Sequence, residues 1–460
     1  MFYRKIEETI NAHLESGTDK ILLVDGARQV GKTFIIRHVG EKKYPHYIEI
    51  NMLEDKRGAK LFSNVSSTEE FYLQLSAFAG TDLGSKDDTL IFIDEIQTYP
   101  QILTLLKFLR QDGRYTYIAS GSMLGIALSK TVSVPIGSIR ITHMHPMDFE
   151  EFLLAYGVGR DVMNRMRESF GNCTSLPTTV HERMLQMFKY YLLTGGLPDA
   201  VKAFVEKQNI AEMRIVQEET HEFYSVDASQ YDKDNKLKIR SIYEAIPSLM
   251  ENKKKRLVVK DIENKKGATF ERYKDEFDYL TASGIALDVK AVPTPVFPLN
   301  QGLNKNLLKL YLNDVGILTA ILYGNNINAI LNDELSINLG SVYETAVAME
   351  LKAHGFNLFY YDNRKKGEVD FLIDDYESLS VIPIEVKSGK DYNLHASLDR
   401  FINNEDYSTC RAYVFSNSRE IKSEGAIMYL PVYMCMFIEA SAPHENVVKF
   451  DSPLTLSDWE

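Results

Sequence analysis

The spacing of apolar and polar positions changes character several times along this chain. Four short runs, Ile21-Leu22-Leu23-Val24, Tyr47-Ile48-Glu49-Ile50, Leu90-Ile91-Phe92-Ile93 and Tyr115-Thr116-Tyr117-Ile118-Ala119, are separated by helix-length segments. Runs of this kind, apolar on both faces and alternating with helices, predict a parallel sheet covered on both sides. From Pro146 to about Met250 the apolar spacing is helical, broken at Gly195-Gly196-Leu197-Pro198, which signals a turn. Residues 252–292 then read as a lysine-rich turn, three helical patterns and a strand. The proline-rich stretch 293–298 follows as a candidate wing, so a winged helix-turn-helix is predicted there. After Gly340 comes a helix, strands near 358–361, 369–373 and 381–386, a further helix, and strands near 412–415 and 426–430. That order predicts a separate α/β domain. The expected division is a nucleotide-type core over 1–155, a helical region over 156–238, the winged-helix-like part over 239–325 and the second α/β domain over 326–460.

Composition narrows this picture. A chain of 460 residues exceeds one ordinary core, which agrees with several domains. With 45% hydrophobic and 25% charged residues it has the make-up of a water-soluble globular protein. A formal net charge of -12 argues against indiscriminate polyanion binding by the whole surface, although a local basic face is compatible with it. The three cysteines, Cys173, Cys410 and Cys435, lie far apart, which excludes a disulfide framework and a thiolate zinc site. The first sixteen residues read as an amphipathic helix, not as a signal peptide. No apolar run approaches the roughly 20 residues of a membrane span. A cytoplasmic location without membrane attachment is expected.

Residues 26–33, Gly26-Ala27-Arg28-Gln29-Val30-Gly31-Lys32-Thr33, match G-x-x-x-x-G-K-[ST] in every fixed position, between a strand pattern and a helix pattern. The chemistry requires these types. Gly26 and Gly31 let backbone N–H groups curl around a phosphate with no Cβ in the way. Lys32 can reach the β- and γ-phosphates of ATP, and the Thr33 hydroxyl is a Mg²⁺ ligand of the expected kind. The helix that follows adds its positive end. Downstream, the apolar run 90–93 ends in Asp94-Glu95, which places Asp94 near the metal and Glu95 where it can polarise an attacking water. A core strand that merely ends in two acids is the bland alternative, and the phosphate loop upstream argues against it. The next strand ends in Ala119-Ser120-Gly121-Ser122, so Ser120 and Ser122 are candidates for contact with the γ-phosphate or water. Either could equally be a helix cap. Arg110 and Arg140 are the candidates for an arginine acting on a neighbouring subunit's nucleotide.

A second constellation lies at Glu368-Val369-Asp370 and Glu385-Val386-Lys387. Two acids on successive strands, with Glu-x-Lys on the second, form the pattern of a metal-dependent phosphodiesterase. Asp370 and Glu385 would share Mg²⁺, Lys387 would face the same side as Glu385, and Glu344 on the preceding helix could complete the set. The same residues also fit a plain ion-pair cluster in which Lys387 neutralises the acids in a domain kept for binding. The basic residues Lys253, Lys254, Lys255, Arg256, Lys260, Lys265, Lys266, Arg272 and Lys274 offer either a DNA-facing surface or a solvated face. His143 and His145 have no further histidine or cysteine nearby, which makes a metal site there a poor reading.

Taken together, GARQVGKT (26–33), IFIDEIQ (91–97), SGS (120–122), HPMDFEEFL (145–153), LLTGGLPDAV (192–201), YLNDVGIL (311–318), and GEVDFLI with IPIEVKSGK (367–390) resemble prokaryotic AAA+-type P-loop ATPases that carry a C-terminal PD-(D/E)xK nuclease-like domain. The likeness runs along nearly the whole chain. It implies a P-loop NTPase sheet, a helical and winged-helix middle, and a restriction-endonuclease-like C-terminal domain. It also implies ATP and Mg²⁺ as cofactors, with phosphate contacts from Gly26, Gly31, Lys32 and Thr33, metal and water roles for Asp94 and Glu95, and a nuclease-like signature at Glu344, Asp370, Glu385 and Lys387. DNA and a second copy of the chain are the candidate partners. One departure stands out. Pro135-Ile136-Gly137-Ser138-Ile139-Arg140 replaces the Gly-Arg that many relatives carry, which puts an inter-subunit role for Arg140 in doubt.

Overall fold

In a computed structural model of the chain, the residues described are 1–54, 56, 58–80, 83–125, 137–230, 236–252, 255, 270–304, 307–333, 337–363, 365–389, 393 and 395–440. The first sheet is made of β1 (Ile21–Asp25), β2 (His46–Asn51), β3 (Thr89–Asp94), β4 (Thr116–Gly121) and β5 (Ile139–His143), in the order β2-β3-β4-β1-β5. All four pairings are parallel. Every residue of β1 and β3 is buried. This is why their sequences run apolar without alternation, with helices closing both faces. Those helices include α1 (Lys5–Glu15), α2 (Lys32–Lys43), α3 (Thr68–Ala79) and α4 (Pro100–Asp112). The two faces bury separate clusters, one with Leu22, Val24, Ile36 and Phe92, the other with Leu23, Phe71, Ile91 and Leu106.

The helical region begins at α5 (Phe149–Tyr156), where Asp148 and Glu151 form a reciprocal capping box of the kind worth about 1 kcal/mol. It continues through α6 (Arg160–Gly171), α7 (Thr178–Thr194), α8 (Pro198–Val205), α9 (Ile210–Gln230) and α10 (Lys236–Glu251). The turn between α7 and α8 depends on glycine. A Cβ on Gly196 would meet the Met147 carbonyl oxygen at 2.1 Å, and the Gly196 amide donates to Asp314 Oδ2 at 2.6 Å. Asp314 also caps α12 (Val315–Tyr323) by accepting from the Ile317 amide at 3.0 Å. One buried carboxylate therefore fixes two elements that are far apart in sequence.

The second sheet has eight strands. After α11 (Lys274–Ala282) come β6 (Ala286–Val292) and β7 (Leu308–Leu312). After α13 (Leu339–Ala353) come β8 (Phe359–Asn363), β9 (Gly367–Asp375) and β10 (Ser380–Lys387), then α14 (Ala396–Ile402), β11 (Ala412–Ser416), β12 (Lys422–Glu424) and β13 (Ile427–Pro431). The order is β12-β13-β11-β10-β9-β8-β6-β7. Strands β6 and β7 lie within the expected winged-helix unit over 239–325, of whose helical part residues 256–269 fall outside the described residues. Its hairpin, β6 and β7, does not close a small domain, because β6 pairs in parallel with β8 and so extends the C-terminal sheet. The proline-rich stretch 293–298 belongs to the connection between these two strands. Most of the basic run, Lys253, Lys254 and residues 256–269, lies outside the described residues.

The two sheets are joined through α5 and α13. The Phe149 amide donates to Glu350 Oε1 at 2.5 Å, and Asp148 Oδ2 lies 2.7 Å from Lys5 Nζ and 3.6 Å from His354 Nε2. Among the described residues no helix is long and apolar enough to cross a membrane.

Candidate functional site: a phosphate loop and an acidic strand end

The loop 26–33 leaves the carboxyl end of β1, an inner strand of its sheet, and α2 starts at Lys32. Glycine is required at Gly26 because a Cβ there would meet the Met144 carbonyl oxygen at 2.2 Å, where the segment after β5 passes. Gly31 has φ 98°, in the left-handed region where glycine is favoured. The loop's carbonyls are engaged by side chains. Lys32 Nζ donates to the carbonyls of Gly26 and Ala27, each at 2.8 Å, Arg4 Nη1 donates to that of Val30 at 2.8 Å, and the Tyr224 hydroxyl donates to that of Arg28 at 2.6 Å. With its carbonyls held this way, the loop has its N–H groups to offer an anion. Burial pushes the Lys32 ammonium below its usual range, a penalty that nearby Glu95, Asp94 and Asp25 reduce. A phosphate placed there would relieve it further.

The acidic end of β3 lies against the loop. Thr33 Oγ1 donates to Asp94 Oδ2 at 2.8 Å, and Asn51 Nδ2 donates to the same oxygen at 3.3 Å. The Ser120 hydroxyl donates to Asp94 Oδ1. Burial raises the Asp94 carboxyl, while the Ser120 and Thr33 hydrogen bonds work against the rise. Glu95 takes φ 54° at the strand's end, and its Oε2 accepts from Gln97 Nε2 at 2.6 Å. Gln97 Nε2 also lies 3.2 Å from Ser122 Oγ. Ser120 and Ser122 therefore orient Asp94 and Gln97, and neither lines the adjoining cavity. That cavity, of about 690 Å³, is lined by Arg28, Lys32, Thr33, Phe34, Glu95 and Phe223 among others. Arg110 is ion-paired with Asp19, Arg140 is exposed on β5, and neither lines it. No site role was read from the sequence for Arg4, Asn51 or Gln97, whose contacts with Val30, Asp94 and Ser122 join segments distant along the chain.

Residues 18–153 match a family described as an AAA domain. The match spans the first sheet and includes the phosphate loop. Two further matches, over residues 185–328 and 339–435, are to domains of unknown function, DUF8612 and DUF4143. No curated protein matches the chain. Among solved structures, it is similar to the Walker-type ATPase of Pyrococcus abyssi at 13% identity and a TM-score of 0.43, over 70% of this chain and 96% of that one. It is similar to the ORC1 protein of Aeropyrum pernix in complex with DNA at 14% identity and 0.31, over 72% and 91%. The AMPPCP-bound DnaA of Aquifex aeolicus matches at 14% identity and 0.28, over 60% and 84%.

The second predicted constellation also comes together in space. Asp370 is raised well above the usual carboxylate range by burial, then by Glu385 and Glu344, and Lys309 and Lys255 oppose the rise. Each neighbouring acid has a lysine. Lys387 Nζ donates to Glu385 Oε1 at 2.6 Å, Lys309 Nζ lies 2.5 Å from Glu368 Oε1, and Lys255 pairs with Glu344. The Tyr311 hydroxyl donates to Glu344 Oε2 at 3.1 Å, and the Val386 amide donates to Asp370 Oδ2 at 2.8 Å. Lys309 and Tyr311 come from β7, the strand assigned by sequence to a different domain. Among the described residues, no group of three or more His, Cys, Asp or Glu side chains is arranged to hold a metal ion. Carboxylates already matched by ammonium groups fit Mg²⁺ poorly, since the cation would have to displace the lysines.

Proposed function

We propose that the chain is a Mg²⁺-dependent ATPase whose turnover moves the helical region against the C-terminal α/β domain. The observation that carries this reading is the meeting of Lys32, Thr33, Asp94 and Glu95 at one end of a parallel sheet, beside a cavity that they partly line. The Thr33 hydroxyl and the Asp94 carboxylate are hard oxygen donors on adjacent elements, as Mg²⁺ requires. When bound with the nucleotide, Mg²⁺ would neutralise charge on the β- and γ-phosphate oxygens. Lys32 exchanges its loop carbonyls for those oxygens. Glu95, held by Gln97, takes a proton from water as the water oxygen bonds to the γ-phosphorus and the bond to the β-phosphate breaks. Glu95→Gln should bind ATP within about threefold of the wild type yet hydrolyse it at least about 100-fold more slowly, the usual scale of a general base. A steady-state phosphate-release assay beside a nucleotide titration decides it, and unchanged turnover removes Glu95 from this role.

For the C-terminal domain the pairing of Glu344, Glu368 and Glu385 with lysines favours a nuclease-like scaffold that binds without cutting. ATP then acts through it as a regulatory ligand, with DNA as the candidate partner. The expected result is no nicking of plasmid or single-stranded DNA with Mg²⁺ or Mn²⁺. Cleavage that disappears in Asp370→Ala and Lys387→Ala would restore the nuclease reading.

A further inference from the structure

Residues on one face of α9 hold the phosphate loop. Thr220 Oγ1 donates to Gln29 Oε1 at 2.6 Å and the Tyr224 hydroxyl donates to the Arg28 carbonyl at 2.6 Å. Asp227 Oδ2 lies 3.4 Å from Arg28 Nε, and the Phe223 ring centroid lies 5.6 Å from the Arg28 guanidinium carbon. Positions 220, 223, 224 and 227 follow the i, i+3, i+4, i+7 spacing of a single helical face. At 3.4 Å the Arg28–Asp227 pair is loose, and Arg28 Nε makes no hydrogen bond among the described residues. Arg28 and Phe223 line the same cavity as Lys32, Thr33 and Glu95. A planar guanidinium with a slack carboxylate partner, at the rim of a phosphate site, is well placed to be captured by a phosphate oxygen through a short charge-assisted bond.

The other end of α9 is anchored elsewhere. Gln217 Nε2 donates to the carbonyls of Leu193 and Thr194 at 2.8 and 2.9 Å, and Arg214 Nη1 donates to Thr319 Oγ1 at 3.1 Å. Arg214 is fully buried. The helix therefore connects the phosphate loop with α12 and the glycine turn after α7.

We infer that Arg28 senses the γ-phosphate, transferring its guanidinium from Asp227 to that group and so loosening α9 from the loop in the triphosphate state. This rests on the ATP-binding reading above. The test uses the full chain with fluorescent ATP and ADP analogues, together with amide exchange of α9 in a non-hydrolysable ATP analogue and in ADP. Arg28→Gln should weaken ATP at least about tenfold, the scale of one hydrogen bond to a charged group, and leave ADP within about twofold. Asp227→Asn should tighten ATP and leave ADP unchanged. Exchange over residues 220–230 should be faster with the triphosphate, and the difference should vanish in Arg28→Gln. Equal weakening of ATP and ADP in Arg28→Gln, or an exchange difference that survives it, overturns the inference while leaving nucleotide binding intact. A wild-type protein that binds neither nucleotide would instead bring down the ATP reading itself.

Discussion

Lys32→Ala is expected to abolish measurable ATP binding without unfolding the protein. In the ATP-binding reading the Lys32 ammonium reaches both the β- and γ-phosphates, whereas Arg28 meets the γ-phosphate alone. Hydrogen bonds to charged groups are each worth about 1.5–3 kcal/mol, so losing two of them lowers affinity by 100-fold or more. The cost to the fold is much smaller, because burial already disfavours the charged form of Lys32 and its present partners are two loop carbonyls. Thermal melts check both halves together. Wild-type protein at a hundred times its dissociation constant gains about 2.7 kcal/mol by linkage, whereas the variant should melt at the same temperature with and without ATP. A nucleotide-induced shift in Lys32→Ala equal to that of the wild type would show that the loop does not hold the triphosphate.

The part of this molecule that could be read from its sequence is the part whose chemistry is local. The loop 26–33 sits within one strand–turn–helix, so its glycines, lysine and threonine announce their geometry. The strands β1 and β3 beside it were recognisable because both are buried on both faces and run apolar without alternation. What could not be read depends on contacts between distant segments. Three helical patterns and a hairpin look the same whether the hairpin closes a small domain or pairs with β8, and only the fold shows the latter. The contacts of Ser120 with Asp94 and of Ser122 with Gln97 also join separate strand ends. The grip of α9 on Arg28 and Gln29 likewise joins residues that no spacing rule links. In the C-terminal cluster, Asp370, Glu385 and Lys387 lie on successive strands and were visible, whereas Lys309 arrives from a strand far upstream.

That lysine carries the largest expected effect on stability. The Lys309 side chain is 1% exposed, pairs with Glu368 at 2.5 Å and stands 4.6 Å from the centroid of the Tyr360 ring. Glu368, Glu344 and Asp370 together hold its ammonium protonated against the penalty of burial. Lys309→Met keeps much of the volume and removes the charge, leaving acids in a buried site without one of their counter-ions. Breaking a fully buried pair from one side costs about 3–5 kcal/mol, and the loss here falls toward the lower end because the Glu368 side chain is 34% exposed. The deficit should depend on pH in a definite direction. The Asp370 carboxyl is already raised in the folded state, and Lys309 is one of the groups that opposes the rise. A carboxyl raised on folding contributes stability that is complete below its unfolded value and is lost as the pH climbs through its folded value. Removing Lys309 raises that folded value further, so the variant loses more than the wild type as the pH rises and the gap narrows on acidification. Denaturant melts of both proteins at pH 5 and pH 8 should therefore show the larger difference at pH 8. A difference below about 1 kcal/mol at both, or one that grows toward pH 5, would mean that Lys309 does not serve as the counter-ion of this cluster.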